Sequence, residues 1–71
     1  MKYMKYYIIY MWASEPSNWR IWTHLGTDKP QSFKTRNKAM KYINHSIPLS
    51  RHYKKGYIKI VNENEVVAYL L

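Results

Sequence analysis

The side chains suited to catalysis or metal binding are few: His24, His45, His52, Glu15, Asp28, Glu63 and Glu65, with no cysteine among 71 residues. All four carboxylates fall in turn-like stretches, which give no apolar surround for acid–base work. The three histidines fall on a strand, a helix end and a loop, without close ligand spacing or a cysteine partner, so a structural role is expected and no metal or cofactor. Gly26 and Gly56 are the only glycines, which excludes a Gly-rich phosphate loop. The lack of cysteine removes disulfides and thiolate chemistry and suits a reducing interior. A non-enzymatic chain is expected.

The basic and aromatic residues carry more. Twelve Lys and Arg stand against four acids, a net charge of +8, which favours a polyanionic partner or an acidic protein surface. From Lys29 to Lys59 nine basic residues occur with no acid among them. Eight Tyr, three Trp and one Phe supply large packing area per residue. Single strands of nucleic acid are held by aromatic platforms under the bases and by Lys and Arg along the phosphates. The candidate residues for nucleic-acid or partner binding are Arg20, Trp22, His24, Lys38, Lys41, Arg51, Lys54, Lys55, Tyr57 and Lys59. Lys38, Lys41, Arg51, Lys54 and Lys55 also suit a clamp on duplex DNA read by strands. The plainer alternatives are a solvated basic surface and aromatics that serve only as core.

These side chains must be positioned by a small α+β domain, residues 1–71, near the lower size limit for independent folding. YMKYYIIYMW, Tyr3 to Trp12, reads as a strand with large apolar or aromatic residues on both faces. ASEPSN, Ala13 to Asn18, is a hairpin loop. WRIWTHL alternates, with Trp19, Ile21, Thr23 and Leu25 on one side and Arg20, Trp22 and His24 on the other. After the turn-rich GTDKPQS, Ser32 or Thr35 caps a helix whose inner flank is Arg36, Ala39, Met40, Ile43 and Ile47 and whose outer stripe is Lys38, Lys41 and His45. Pro48 should end that helix at about His45 to Ile47. Leu49 to Gly56 reads as a basic loop. In YIKIVN, Ile58 and Ile60 share one face and Tyr57, Lys59 and Val61 the other. NENE makes a turn, and VVAYLL, Val66 to Leu71, closes the chain as a strand.

The expected order is β-β-α-β-β, a four-stranded, mostly antiparallel sheet with one helix packed on one face. Strands apolar on both sides belong in the middle of a sheet, which predicts spatial order 2-1-4-3. The uncovered face would show Trp22, several Tyr side chains, Arg20, His24 and Lys59. Such a bare aromatic face marks a binding or dimer surface.

Residues 19 to 43, WRIWTHLGTDKPQSFKTRNKAMKYI, resemble the N-terminal arm-binding domains of phage and transposon integrases. There, a sheet ending in a Trp- or Tyr-rich strand precedes a Phe-x-Thr-x-x-x-Ala pattern that opens a helix, matched here by Phe33, Thr35 and Ala39. The resemblance implies a sheet that docks on DNA, with Arg20, Trp22 and His24 at the matching strand positions. Over its full length the chain is similar to small uncharacterised phage and bacterial domains of this strand-strand-helix-strand-strand order.

The leading expectation is a small basic nucleic-acid-binding accessory protein, phage or mobile-element encoded. The alternatives are a phage-encoded inhibitor of the anti-defence or anti-CRISPR type, which binds a host protein or nucleoprotein, and a homodimeric structural protein. MKYMKYYIIYMWAS has a short Tyr-rich apolar stretch and no small-x-small cleavage site, so no signal peptide is expected. No run reaches membrane-spanning length, and a cytoplasmic location is expected, inside the host cell if the protein is viral.

Overall fold

The computed structural model describes residues 4–24 and 26–70. Tyr3, Leu25 and Leu71, which the sequence reading places in strands, lie outside the described residues. The aromatic and β-branched run YYIIY forms β1, Tyr6–Tyr10. It pairs antiparallel with β4, Ile58–Asn62, along its whole length, from Tyr6 opposite Asn62 to Tyr10 opposite Ile58. The other edge of β1 is shared. β2, Arg20–Ile21, pairs its carboxyl half through Ile9 with Ile21 and Tyr10 with Arg20. β3, Ser32–Phe33, pairs its amino half through Tyr6 with Phe33 and Tyr7 with Ser32. Between β2 and β3 the chain leaves the edge and returns, held at its neck by a Thr23–Pro30 bridge and by Gln31 N–H donating to Trp22 O at 3.0 Å. The sheet is therefore four-stranded and antiparallel with β1 in its centre, as the two-faced apolar pattern of β1 predicts.

Thr35, extended at φ −139° and ψ 157°, accepts from Lys38 N through Oγ1 at 3.1 Å and caps α1, Arg36–Asn44. Ala39 and Ile43 point inward and are fully buried, while Lys38, Lys41 and His45 lie exposed. Ser46 then turns extended and caps a second helix, α2, Ile47–Lys54. Pro48 thus opens a helix rather than closing one, because a proline in the first turn lacks only an N–H that has no intrahelical acceptor there. The expected basic loop from Leu49 to Gly56 is for the most part this helix. Gly56, at φ +85°, reverses the chain into β4 in a conformation that side chains with a Cβ resist.

The expected last strand, Val66 to Leu71, is instead a short helix, α3, Val66–Leu70. Its cause is local. Asn62 Oδ1 accepts from Glu65 N at 2.8 Å, and Glu65 Oε1 accepts in return from Asn62 N at 3.3 Å. With Asn64 N also donating to Asn62 Oδ1 at 2.9 Å, these bonds close NENE into a turn, and from its last residue the Glu65 carbonyl accepts from Ala68 N at 3.0 Å as the chain enters α3 instead of a strand. Spatial order 2-1-4-3 fails for the same reason: β4 flanks β1 directly, no strand follows it among the described residues, and the fourth strand is Ser32–Phe33. Among the described residues three helices stand where one was expected.

Residues paired across a sheet share a face. Ile8, Ile58 and Ile60 meet Ala39 and Ile43 in the core under α1 and α2, with Tyr6, Tyr10, Trp22 and Phe33 packed around them. The opposite face carries Ile9, fully buried, and Val61, 3% exposed. Lys59 shares that face, and its Nζ sits 5.4 Å from the Trp19 ring centre and 5.2 Å from that of Tyr69 on α3. The second face is therefore dry at Ile9 and Val61, with Trp19, Lys59 and Tyr69 of α3 gathered together on that side, and the expected bare aromatic face is not found. Trp22 lies on the helix side because α1 and α2 cover the face that Trp22 and Ile8 share. No helix among the described residues is long and apolar enough to cross a membrane.

The burial pattern makes a stability prediction. Ile8→Ala, Ile9→Ala and Ile43→Ala should each cost about 2–5 kcal/mol, whereas Ile47→Ala, at a position 69% exposed, should stay within about 0.5 kcal/mol. Urea unfolding midpoints measure the difference, and a small effect at Ile9 would contradict a closed second face.

Candidate nucleic-acid interface

The rings on the helix side form one connected series. Phe33 meets Tyr42 at 5.5 Å between centres, Tyr42 meets Trp22 at 6.2 Å, Trp22 meets Tyr10 at 5.7 Å, and Tyr10 meets Trp12 at 5.7 Å. Trp12 continues to His52 at 6.0 Å and His52 to Tyr57 at 5.1 Å. Six of the seven rings belong to residues close to β1, β2, β3 and β4 or to α2, so the series follows from the pairing just described. Most contacts are edge-to-face, the arrangement ring quadrupoles favour. Two hydrogen bonds lock its polar ends: Trp22 Nε1 donates to the Tyr42 hydroxyl at 3.2 Å, and His52 Nε2 donates to Met11 O at 3.1 Å.

The series borders a groove. At one end Tyr10, Trp12, Trp22, Leu49 and His52 line an apolar concavity of about 260 Å³, with Trp12 itself 48% exposed. Tyr10 and Trp22 also border a second, more open concavity of about 500 Å³ that runs on to His24, Thr27 and Asp28. Aromatic surface thus lies in the middle, and donors and acceptors lie at the end formed by the excursion between β2 and β3.

The residues expected from the sequence divide around this groove. Trp22 and His24 line it, and Arg20 stands directly opposite Tyr10 in the sheet. Arg20 pairs with Glu15 at 2.9 Å, with both side chains 48% exposed, an ion pair worth only about 0–1 kcal/mol and readily exchanged for another anion. Arg51 and Lys54 lie exposed on α2 and Lys55 is its C-cap; by helical spacing Arg51 is nearer the Pro48–His52 side than Lys54 is, but none of the three lines the groove. Tyr57 lies behind His52. Lys38 and Lys41 stand on the exposed side of α1, away from the apolar concavity. Lys59 is on the opposite face of the sheet, against Trp19 and Tyr69. The expected grouping of Arg20, Trp22, His24 and Lys59 on one open sheet face is thus overturned, because β2 turns Trp22 toward the helices and β4 turns Lys59 away from them.

Sequence reasoning missed Tyr10, Trp12 and His52 as one site. Trp12 follows β1, whereas His52 rides on α2, which Pro48 concealed. The remaining chemistry is spent on structure: Glu15 holds Arg20 and Asn18, Glu63 accepts from Lys5 N, and Glu65 accepts from Asn62 N in the turn before α3. Among the described residues, no three His, Cys, Asp or Glu side chains gather as a metal site.

The placement of Lys59 is testable. Lys59→Ala should lower stability by about 1 kcal/mol through the loss of two partly exposed cation–ring contacts, a fall in Tm of roughly 4–8 °C for a chain of this size. Calorimetry reads it, and Lys41→Ala serves as the neutral comparison. No protein-family model matches this chain, and neither the curated proteins nor the solved structures searched contain a significant match to it.

Proposed function

We propose that this chain is a small non-enzymatic nucleic-acid-binding accessory protein of the phage or mobile-element kind, which takes unpaired bases into the aromatic groove. The observation that carries the reading is Trp12, nearly half exposed at the mouth of a concavity walled by Tyr10, Trp22 and His52. Exposed aromatic surface beside basic residues holds single strands without needing a sequence code, since every base presents a stacking face. Arg20 is paired across the sheet with the groove residue Tyr10, Arg51 is on the same helix as the groove residue His52, and the net charge of +8 supplies long-range attraction. The narrow concavity favours a single strand over a duplex. Two of the three strand positions implied by the resemblance to integrase arm-binding domains, Trp22 and His24, line this groove, which supports the same partner class by a different docking geometry.

A second reading is an inhibitor that binds a host protein. Ile47 is 69% and Val67 54% exposed, and Ile47 adjoins Pro48 at the groove, an apolar rim of the type that anchors protein contacts.

The test is fluorescence anisotropy with labelled single-stranded oligothymidylate. Trp12→Ala should weaken binding by about 1–3 kcal/mol, roughly five- to two-hundredfold, while the variant remains folded in the absence of urea. Affinity of the parent chain should fall with salt at a logarithmic slope of about −0.7 per phosphate contacted. Lys59→Ala should leave affinity nearly unchanged. Equal binding by Trp12→Ala and the parent chain would eliminate the groove, and transfer of binding to a protein target would favour inhibition.

A further inference from the structure

We propose that Lys5, Lys34 and Lys38 form a second, phosphate-holding site, which grips the backbone of the same strand whose bases enter the aromatic groove; the inference rests on that reading. The three lysines arrive from different parts of the chain: Lys5 just before β1, Lys34 just after β3, and Lys38 in α1. They line one concavity of about 620 Å³ together with Met4, Ser32, Phe33 and Thr35. Among the described residues no carboxylate lines it. Among the described residues the one ion pair is Arg20 with Glu15, so none of the three ammonium groups is neutralised there. Glu63 reaches the Lys5 main-chain N–H at 3.3 Å rather than an ammonium group. Three like charges around one hollow repel each other, and an anion that enters it relieves the repulsion while releasing its own counterions.

The fold connects this hollow to the groove. Phe33 lies in its lining, and the ring series from Phe33 through Tyr42 leads to Trp22 and Tyr10. In the sheet, Phe33 stands opposite Tyr6, four residues from Tyr10 along β1. At a strand rise of ~3.4 Å per residue that is about 13 Å, or roughly four phosphate spacings of a stacked strand. A chain of a few nucleotides can thus fill the groove alone, while a longer one reaches both sites. The occupant is a phosphodiester backbone rather than free phosphate, because all three lysines are solvent-exposed and the hollow offers no fixed, buried donor.

The experiment compares oligothymidylates of four and twelve nucleotides by NMR titration and anisotropy. The variants are Lys34→Ala/Lys38→Ala and, as an equal-charge control on the outer helix surfaces, Lys41→Ala/Lys54→Ala; urea midpoints verify folding. For Lys34→Ala/Lys38→Ala, affinity for the longer strand should drop roughly tenfold at low salt and the salt slope should shrink by about 1.4. Binding of the shorter strand should change little, and the control variant should behave as the parent on both. Equal losses in the two double variants, or an equal loss for both lengths, would overturn the lysine site. Loss of the lysine effect with retention of the Trp12→Ala effect would overturn this site alone. Loss of the Trp12→Ala effect with a persisting lysine effect on the longer strand would overturn the groove and leave the lysine site standing. Inorganic phosphate that saturates the three lysines at micromolar concentration would also overturn the assignment to a nucleic-acid backbone.

Discussion

Two neighbouring residues of β1, Ile8 and Ile9, point to opposite sides of the sheet and are both essentially solvent-free. Everything else in the molecule follows from that demand. A strand buried on both faces needs a cover on each, and a chain this short has few residues to spend on a second layer. One cover is ordinary, the pair of helices α1 and α2. The other is improvised from a five-residue helix, Trp19, Tyr69 and the aliphatic length of Lys59, whose charged end sits over the two rings. Every strand of the sheet also pairs with β1 itself, so sheet pairing and both covers depend on the same five residues.

The same economy generates the groove. Large rings fill a small core with few residues, but rings at the end of a five-residue strand cannot all be enclosed. Tyr10 and Trp22 are held half-buried by their neighbours, and Trp12, beyond the last paired residue, is left about half in water. Packing and recognition therefore draw on one continuous set of rings rather than on two separate sets. The basic residues do not share this arrangement: they sit on helix exteriors and flanking turns, where the solvation of a charge costs nothing, and they surround the rings without being packed among them.

Much of this was legible in the chain. The apolar character of both faces of Tyr6–Tyr10 placed β1 centrally, Thr35 and the spacing of Ala39 and Ile43 defined α1, and the alternation of Ile58, Lys59 and Ile60 fixed the faces of β4. Other parts had two physical readings. VVAYL suits strand or helix equally by periodicity, and only the structure shows the Asn62–Glu65 turn running on into a helix. Pro48 is a terminator in the middle of a helix and a good residue in its first turn, so α2 was hidden. Alternation in WRIWTHL separated Trp22 from Trp19 correctly, but alternation says nothing about which side the helices occupy. The groove was out of reach for that reason: it needs Trp22 on the helix side and His52 on a helix that Pro48 obscured.

The departure of the chain from the sheet edge between β2 and β3 has a further implication. Strand register is pinned on either side of it, by Ile21 against Ile9 and by Ser32 against Tyr7, and the neck is tied off at Thr23 and Pro30. Whatever lies beyond the neck can lengthen, shorten or change chemistry without shifting a single cross-strand partner. The molecule thus keeps its scaffold and its ring surface constant while one rim stays free to diverge, much as a tool handle accepts interchangeable heads.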